Sequence, residues 1–404
     1  MSRRSLLLLL LVLVAFYCAL GFTGFGTDND TYEMLRRGHE LLRDGTYVPS
    51  RSPGYPLPEV VIAITGYAGG FLLSNAVSAL LGGLAVACFY LLARDAFGSR
   101  AALLSAAAAG LNPHWIVASS SSMDYVYALA FCLAGVLALR HGRLYAAAPL
   151  LAMSVASRLT YLPLGVIAYA CMAFLPSARR GHVLAAALLF VALALAPYAA
   201  IYHAVGASMI QVYTGQPIGF FSFEGYAHLS DYVGRFVFKN ISFWGAFLVP
   251  VLAAAGLAWW RRGRRRNVGL PGAPVPGIAL AGIWAAIVYT EALFFRLPLE
   301  IPYLLPMLFP VVFLLNLVPR ARFFLACVLV GHLVYGLVSL DLLKVRYLHT
   351  GFNGRVAAGA TFGPSFGPGV LIQDLSLRHE AEAYHVKRFG LSELKRGLPE
   401  PKDE

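Results

Sequence analysis

The residues best able to do chemistry are concentrated in one polar stretch, Thr27–Leu57, which reads TDNDTYEMLRRGHELLRDGTYVPSRSPGYPL. It lies between two long apolar runs in a chain with few polar residues. Thr31–Arg43 has helical spacing, with Leu35, Leu41 and Leu42 as apolar anchors and Arg36, Arg37, His39 and Arg43 as polar and basic faces. Gly45 is a stop signal. Such a pattern predicts a short amphipathic helix lying at a membrane surface. Asp30, three residues before Glu33, reads as the start of a capping box. That leaves Asp28 without a capping duty. A carboxylate held partly desolvated at a membrane boundary is suited to accept a proton. Asp28 is therefore the first choice for a general base and Asp30 the reserve. The plain alternatives are a solvated loop acid for Asp28 and helix capping for Asp30. Downstream, the prolines and glycine of Ser50–Leu57 fix the path back towards the apolar region. Arg51 could hold an anionic group there, or equally contact lipid headgroups.

Other charged residues fall at the edges of apolar runs. A charge inside a span costs roughly 2.5–3.5 kcal/mol on insertion scales, so each invites a reason. Asp124 follows four serines, Ser119–Ser122, at an expected outer boundary. Arg158 falls between two short spans on the outer side, against the orientation rule for basic residues. It is a candidate for pairing with a lipid phosphate. Glu291, Arg296 and Glu300 surround another outer turn, where Arg296 either pairs with a glutamate or faces a phosphate. His203, Glu224, His228, Asp231, Arg235 and Lys239 share a further outer loop. Their spacing fits no metal motif, and solvation explains most of them.

The elements that must position these residues are membrane spans. The chain has 404 residues, of which 59% are hydrophobic and only 13% charged, against about 25% charged in soluble domains. Apolar runs of about 20 residues recur. The net charge of +12 is spread in short clusters between those runs, where it orients the chain rather than forming a nucleic-acid surface. Every second junction is basic: Arg3 and Arg4, Arg94 and Arg100, Arg140 and Arg143, Arg179 and Arg180, Arg261–Arg266, and Arg320 and Arg322. The predicted fold is an all-α polytopic membrane helix bundle of about eleven transmembrane helices. The spans run from about 5–23, 71–92, 101–117, 125–139, 144–157, 160–174, 183–204, 241–260, 277–295, 298–318 and 323–343. Residues 58–70 either extend the second span or lie at the interface. The N-terminus resembles a signal peptide, but its apolar run reaches spanning length and reads as a retained first span. Outer loops at about 24–57 and 205–240 and a tail from 344 share the non-cytoplasmic side. The Gly/Pro-rich GATFGPSFGPG reads as a loop and about 375–389 as a surface helix. The five cysteines all lie in apolar runs and read as small hydrophobes.

Asp28-x-x-x-Tyr32 after the first span, a surface helix, and Arg51-x-Pro53-Gly54-Tyr55-Pro56 before the second resemble the GT-C superfamily of membrane glycosyltransferases, which includes the protein mannosyltransferase-like enzymes and the lipid A aminoarabinose transferase. The likeness is strongest in the first loop. It implies a polyprenyl-phosphate-linked sugar as donor, and an aspartate base at the position of Asp28. It also implies a second acid after the third span, at Asp124. Arg51, Arg158 and Arg296 become donor-phosphate ligands. Tyr32, Tyr55 and Tyr303 become substrate-pocket residues. The acceptor would be a lipid or glycan hydroxyl, because the chain lacks the large soluble C-terminal domain of bigger members. Residues 1–343 would be the catalytic module and 344–404 a small non-cytoplasmic segment, in a bacterial inner membrane with the site on the periplasmic or extracellular side.

The expected reaction is an inverting transfer in which Asp28 takes the acceptor proton and an arginine stabilises the leaving phosphate. No cofactor is demanded. Two acids, Asp28 and Asp124, could take a divalent metal but do not define one. The rival from another class is a polytopic transporter or lipid flippase, which also carries many spans and rare embedded charges. It would not require a carboxylate-rich first loop. A polysaccharide polymerase or ligase would share the donor.

Overall fold

The computed structural model describes residues 3–51, 53–176, 178–206, 229–264, 275–296, 301–350 and 354–391. It is a bundle of helices with one two-stranded ribbon. The leucine-rich α1 (Arg3–Gly21) ends where glycines begin, and a short turn leads to α2 (Asn29–Asp44). Gly45, at φ 68°, closes α2 in the left-handed conformation, and its N–H donates to Leu41 O. The buried face of α2 is Thr31, Tyr32, Met34, Leu35 and Gly38. Leu42, expected to be an anchor, is exposed. The small residues explain the packing. A Cβ at Gly38 would collide with Ala63, and one at Gly66 would come within 2.6 Å of Leu35, so α2 lies directly on the backbone of the next helix.

That helix, α3 (Pro56–Phe97), has 42 residues. Straight, it would run about 63 Å, roughly twice a bilayer's hydrocarbon core. It breaks at Gly69 and Gly70, whose backbone angles are non-helical. The ambiguous 58–70 segment is therefore a helical arm under α2, joined to the span at a glycine hinge.

The expected third span is also broken. It is α4 (Ser99–Gly110) and α5 (Pro113–Ser119), bent by 72°. Pro113 has no N–H to give, and Asn112 N turns to Ala109 O. The carbonyls left at the break find side chains. His332 Nδ1 lies 2.8 Å from Ala108 O, and Tyr17 donates to Gly110 O at 2.6 Å. Asn112 caps α5 by accepting from Trp115 N.

The chain continues through α6 (Asp124–Arg140), α7 (Leu144–Ser157), α8 (Leu162–Ala173) and α9 (Arg180–Val205). The expected eighth span also differs. Leu229–Trp244 is already helical (α10) and turns by 83° at Gly245 into α11 (Val249–Arg264). Just before that break, Ser242 O lies 3.3 Å from His114 Nε2 of α5. Next come α12 (Gly277–Arg296), α13 (Leu305–Leu315) and α14 (Ala321–Leu337). Among the described residues, four helices are long and apolar enough to cross a membrane, or six if each bent pair is one crossing. Four shorter apolar helices accompany them.

The end of the chain departs most from expectation. The eleventh span stops at Leu337, and Val338–Thr350 is a strand, β1. It pairs antiparallel with β2 (Gly354–Pro368), Val338 opposite Pro368 and Thr350 opposite Gly354. The Gly/Pro-rich stretch is thus a strand and not a loop. The last element among the described residues is α15 (Val370–Phe389), closed by Gly390.

Candidate active site

Two turns carry the acids, and one serine joins them. Ser122 N donates to Phe25 O at 2.9 Å, and Ser122 O accepts from Thr31 Oγ1 at 2.9 Å. Ser122 Oγ donates to Asn75 Oδ1 at 2.8 Å. Asn75 Nδ2 in turn donates to Gly21 O and Gly24 O, at 2.9 and 2.8 Å. Gly26, at φ 127°, lets the first turn press on Ser121, where a Cβ would sit 2.8 Å away. The first loop and the serine run are therefore one folded unit, which sets Asp28 and Asp30 beside the start of α6.

Asp28 is the N-cap of α2, with Oδ1 accepting from Asp30 N at 2.9 Å. This reverses the capping roles expected from the sequence. Asp30 is instead ion-paired with Arg51. Glu33 forms no capping box but pairs with Arg36 and Arg37.

Asp124 is the first residue of α6 and is wholly buried, 0% exposed. Arg158 Nη1 lies 2.9 Å from its Oδ2, and Arg51 Nη2 lies 3.3 Å from its Oδ1. Arg158, 2% exposed, caps the end of α7. Its guanidinium sits over Tyr125 at 3.8 Å, Tyr303 at 4.9 Å and Tyr55 at 5.4 Å. The Arg51 guanidinium also lies over the Tyr55 ring, 4.3 Å from its centroid. Tyr125 and Tyr303 meet edge to face. Burial is the largest single influence and works against the charges on Arg51 and Arg158, but Asp124 together with the surrounding tyrosines holds both groups above the usual arginine range.

Five sequence candidates thus converge directly with Asp30: Arg51, Tyr55, Asp124, Arg158 and Tyr303. Tyr32 is placed elsewhere. Its hydroxyl donates to Gly26 O at 2.9 Å and its ring stacks on His385 at 4.7 Å. Arg296 ends α12, and its side chain, like Glu300, lies outside the described residues. Glu291 accepts from Asn240 at 3.1 Å. Of the second outer loop, Glu224 and His228 lie outside the described residues, as do the side chains of Asp231 and Arg235.

Sequence reasoning passed over Glu59. It is 3% exposed at the start of α3 and accepts from Tyr47, Ser50 N and Ser50 Oγ. These bonds fix the irregular segment that leads to Arg51. A lone acid opening a long apolar run was the available signal. Tyr125 and Tyr161 were also missed, although they neighbour Asp124 and Arg158 in sequence. Arg51 Nε and the Tyr161 hydroxyl are buried without a hydrogen-bond partner among the described residues. Buried polar atoms of that kind point to a ligand or water that completes the site.

Chemically, two guanidiniums and three phenol rings surround one carboxylate. The two arginines face the two aspartates, and the cations are held rigid by aromatic faces. The cluster is a buried, charge-balanced network of two cations and two carboxylates with aromatic faces against the guanidiniums. Among the described residues, no group of three or more His, Cys, Asp or Glu side chains could hold a metal.

No protein-family model matches the sequence, and no curated protein sequence does. A solved structure matches by fold: ArnT from Cupriavidus metallidurans bound to undecaprenyl phosphate, with a TM-score of 0.55 at 16% identity. The match covers 78% of this chain and 60% of that one. The chain therefore spans less than two thirds of the protein it matches. The likeness is one of fold: the chain is a polytopic helical membrane protein that shares its overall architecture with that structure.

Proposed function

We propose that the protein is a membrane glycosyltransferase that moves a sugar from a polyprenyl-phosphate donor to a hydroxyl acceptor, lipid or glycan, on the non-cytoplasmic side. The observation that carries this reading is the convergence of Arg51 and Arg158 on Asp124 beside the Asp28–Asp30 turn. The fold shared with a protein crystallised with undecaprenyl phosphate supports the donor class.

In the proposed step, Asp28 accepts the proton of the acceptor hydroxyl. The acceptor oxygen forms a bond to the anomeric carbon as the bond from that carbon to the phosphate oxygen breaks. The polyprenyl phosphate leaves with the electron pair. A single displacement inverts the anomeric centre. Charge grows on the departing phosphate, and Arg158 and Arg51 are held where they can stabilise it. Arg296, at the end of α12, is a third candidate for that role, and Tyr55 and Tyr303 line the donor side. Arg51 reaches the donor side from its ion pair with Asp30. Tyr32 supports the turn from behind. On this reading residues 1–343 are the catalytic module and 344–404 a small non-cytoplasmic segment, in a bacterial inner membrane.

The test is purified protein with polyprenyl-phosphate sugars and candidate acceptors. Asp28→Asn should lower kcat by a factor of about a thousand or more with unchanged expression. Asp30→Asn should lose far less. Full activity in Asp28→Asn would remove Asp28 as the base. Movement of donor lipid across proteoliposomes without any glycosidic product would favour the flippase instead.

A further inference from the structure

The polar residues of α15 recur at Asp374, Arg378, Glu382 and His385, spacings that place them on one helical face. That face is buried, while Ile372, Leu377 and Tyr384 are exposed. An ordinary surface helix does the opposite. The reason lies in what α15 covers. α1 and α5 both end there, and helix C-termini leave carbonyls without partners. Arg378 supplies the donors. Its Nη1 donates to Leu20 O at 3.2 Å, Thr23 Oγ1 at 3.4 Å and Ser120 O at 2.8 Å. Its Nη2 donates to Ser120 Oγ at 2.8 Å, and its Nε to Asp374 Oδ2 at 2.7 Å. A cation is favoured at such helix ends. The other oxygen of Asp374 accepts from Thr27 Oγ1 at 3.0 Å.

Thr27 directly precedes Asp28, and Ser120 lies on the short turn that leads to Asp124. Both hang from one buried Arg–Asp pair contributed by the far end of the chain. Two further contacts lock the same elements: Arg388 to Asn29 Oδ1 at 3.3 Å, and the His385 ring on Tyr32.

We propose that Arg378 and Asp374 are positioning residues for the transfer reaction: they set the spacing between the Asp28–Asp30 turn and Asp124, so that α15 is a working part of the active site. The proposal rests on the glycosyltransferase reading above.

The experiment uses the full chain in nanodiscs. Arg378→Lys keeps the charge but loses the fork of donors. Thr27→Val removes one link without stranding a buried charge. The readouts are kcat, the donor KM, and the rate at which a membrane-impermeant maleimide labels a cysteine placed at the exposed Asn29. Arg378→Lys should lower kcat about tenfold or more with donor KM changed less than about twofold, and Thr27→Val should lower kcat about threefold. Both should speed labelling at position 29. If kcat is unchanged while labelling rises, or neither moves, the positioning role is overturned. A raised donor KM at unchanged kcat would also overturn it, by making Arg378 a donor ligand. If Arg378→Lys does not fold, Thr27→Val decides by the same criteria. If the wild-type protein transfers no sugar from any donor, the glycosyltransferase reading fails. The labelling rates then judge the clamp by themselves.

Discussion

A carboxylate at a helix N-cap has one oxygen already engaged. Asp28 accepts from Asp30 N, and its substitution therefore has separable consequences. Asparagine caps about as well as aspartate, whereas alanine costs about 1 kcal/mol of helix stability. Asp28→Asn should then lose the proposed proton acceptor while keeping the cap, and Asp28→Ala should lose both. Thermal unfolding in detergent, beside the transfer assay, separates the two: only Asp28→Ala should melt earlier. Arg158 poses the opposite case. Its partner Asp124 is fully buried, so Arg158→Met leaves that carboxylate with the longer Arg51 contact alone, and breaking a buried pair costs up to about 3–5 kcal/mol. Arg158→Met should be strongly destabilised, and adding Asp124→Asn should restore part of the loss. If the single variant melts like the wild type, the pair does not hold the fold at this point. The sequence marked Arg158 by its placement against the orientation rule and Asp124 by its boundary position. It could not show that they face each other, because 33 residues intervene between them.

At the scale of elements, α15 is the least conventional piece. Glu382 is buried against the turn at Gly24, where a Cβ would collide with its Oε2. Burial pushes its carboxyl up from 4.5 to about 7. The folded protein therefore holds this proton more tightly than the unfolded chain does. Its contribution to stability is full below about pH 4.5 and is lost as pH rises through about 7. His385 on the same face is shifted down, by burial and by Arg388, and acts in the opposite sense. It is present in both wild type and Glu382→Gln, so the difference between them isolates Glu382. From about pH 5 to about pH 8 the wild type should lose stability relative to Glu382→Gln. Parallel melting curves across that range would contradict the buried carboxyl. A helix near 375–389 was legible from its spacing, but not that its polar side would turn inward. Periodicity identifies a stripe and leaves open which neighbour the stripe meets. The ribbon of β1 and β2 was illegible for a related reason. Val338–Leu343 reads as the end of an apolar span until Gly354–Pro368 is beside it to pair with. The broken spans were half legible: Pro113 marks a place where the ladder fails, but His332, the side chain that repairs it, lies far along the chain.

At the scale of the whole molecule, the packing of α15 on the first loop requires both to lie on one side of the membrane. Cysteines at the exposed positions Thr46 and Glu380 should label with an impermeant maleimide in oriented proteoliposomes or whole cells. One at the exposed Arg143, in a basic junction, should label only after permeabilisation. Labelling of Thr46 and Arg143 from the same side would contradict the arrangement. Apolar runs of spanning length and regularly placed arginines were enough to establish a polytopic helical membrane protein and to single out the first loop, because burial in lipid imposes length and charge rules that act residue by residue. The assembly of Arg51, Asp124, Arg158 and three tyrosines into one cluster, and the recruitment of the last helix to hold its edges, were decided only by the folded chain. Those contacts join residues tens to hundreds of positions apart, and their geometry depends on which helix faces meet.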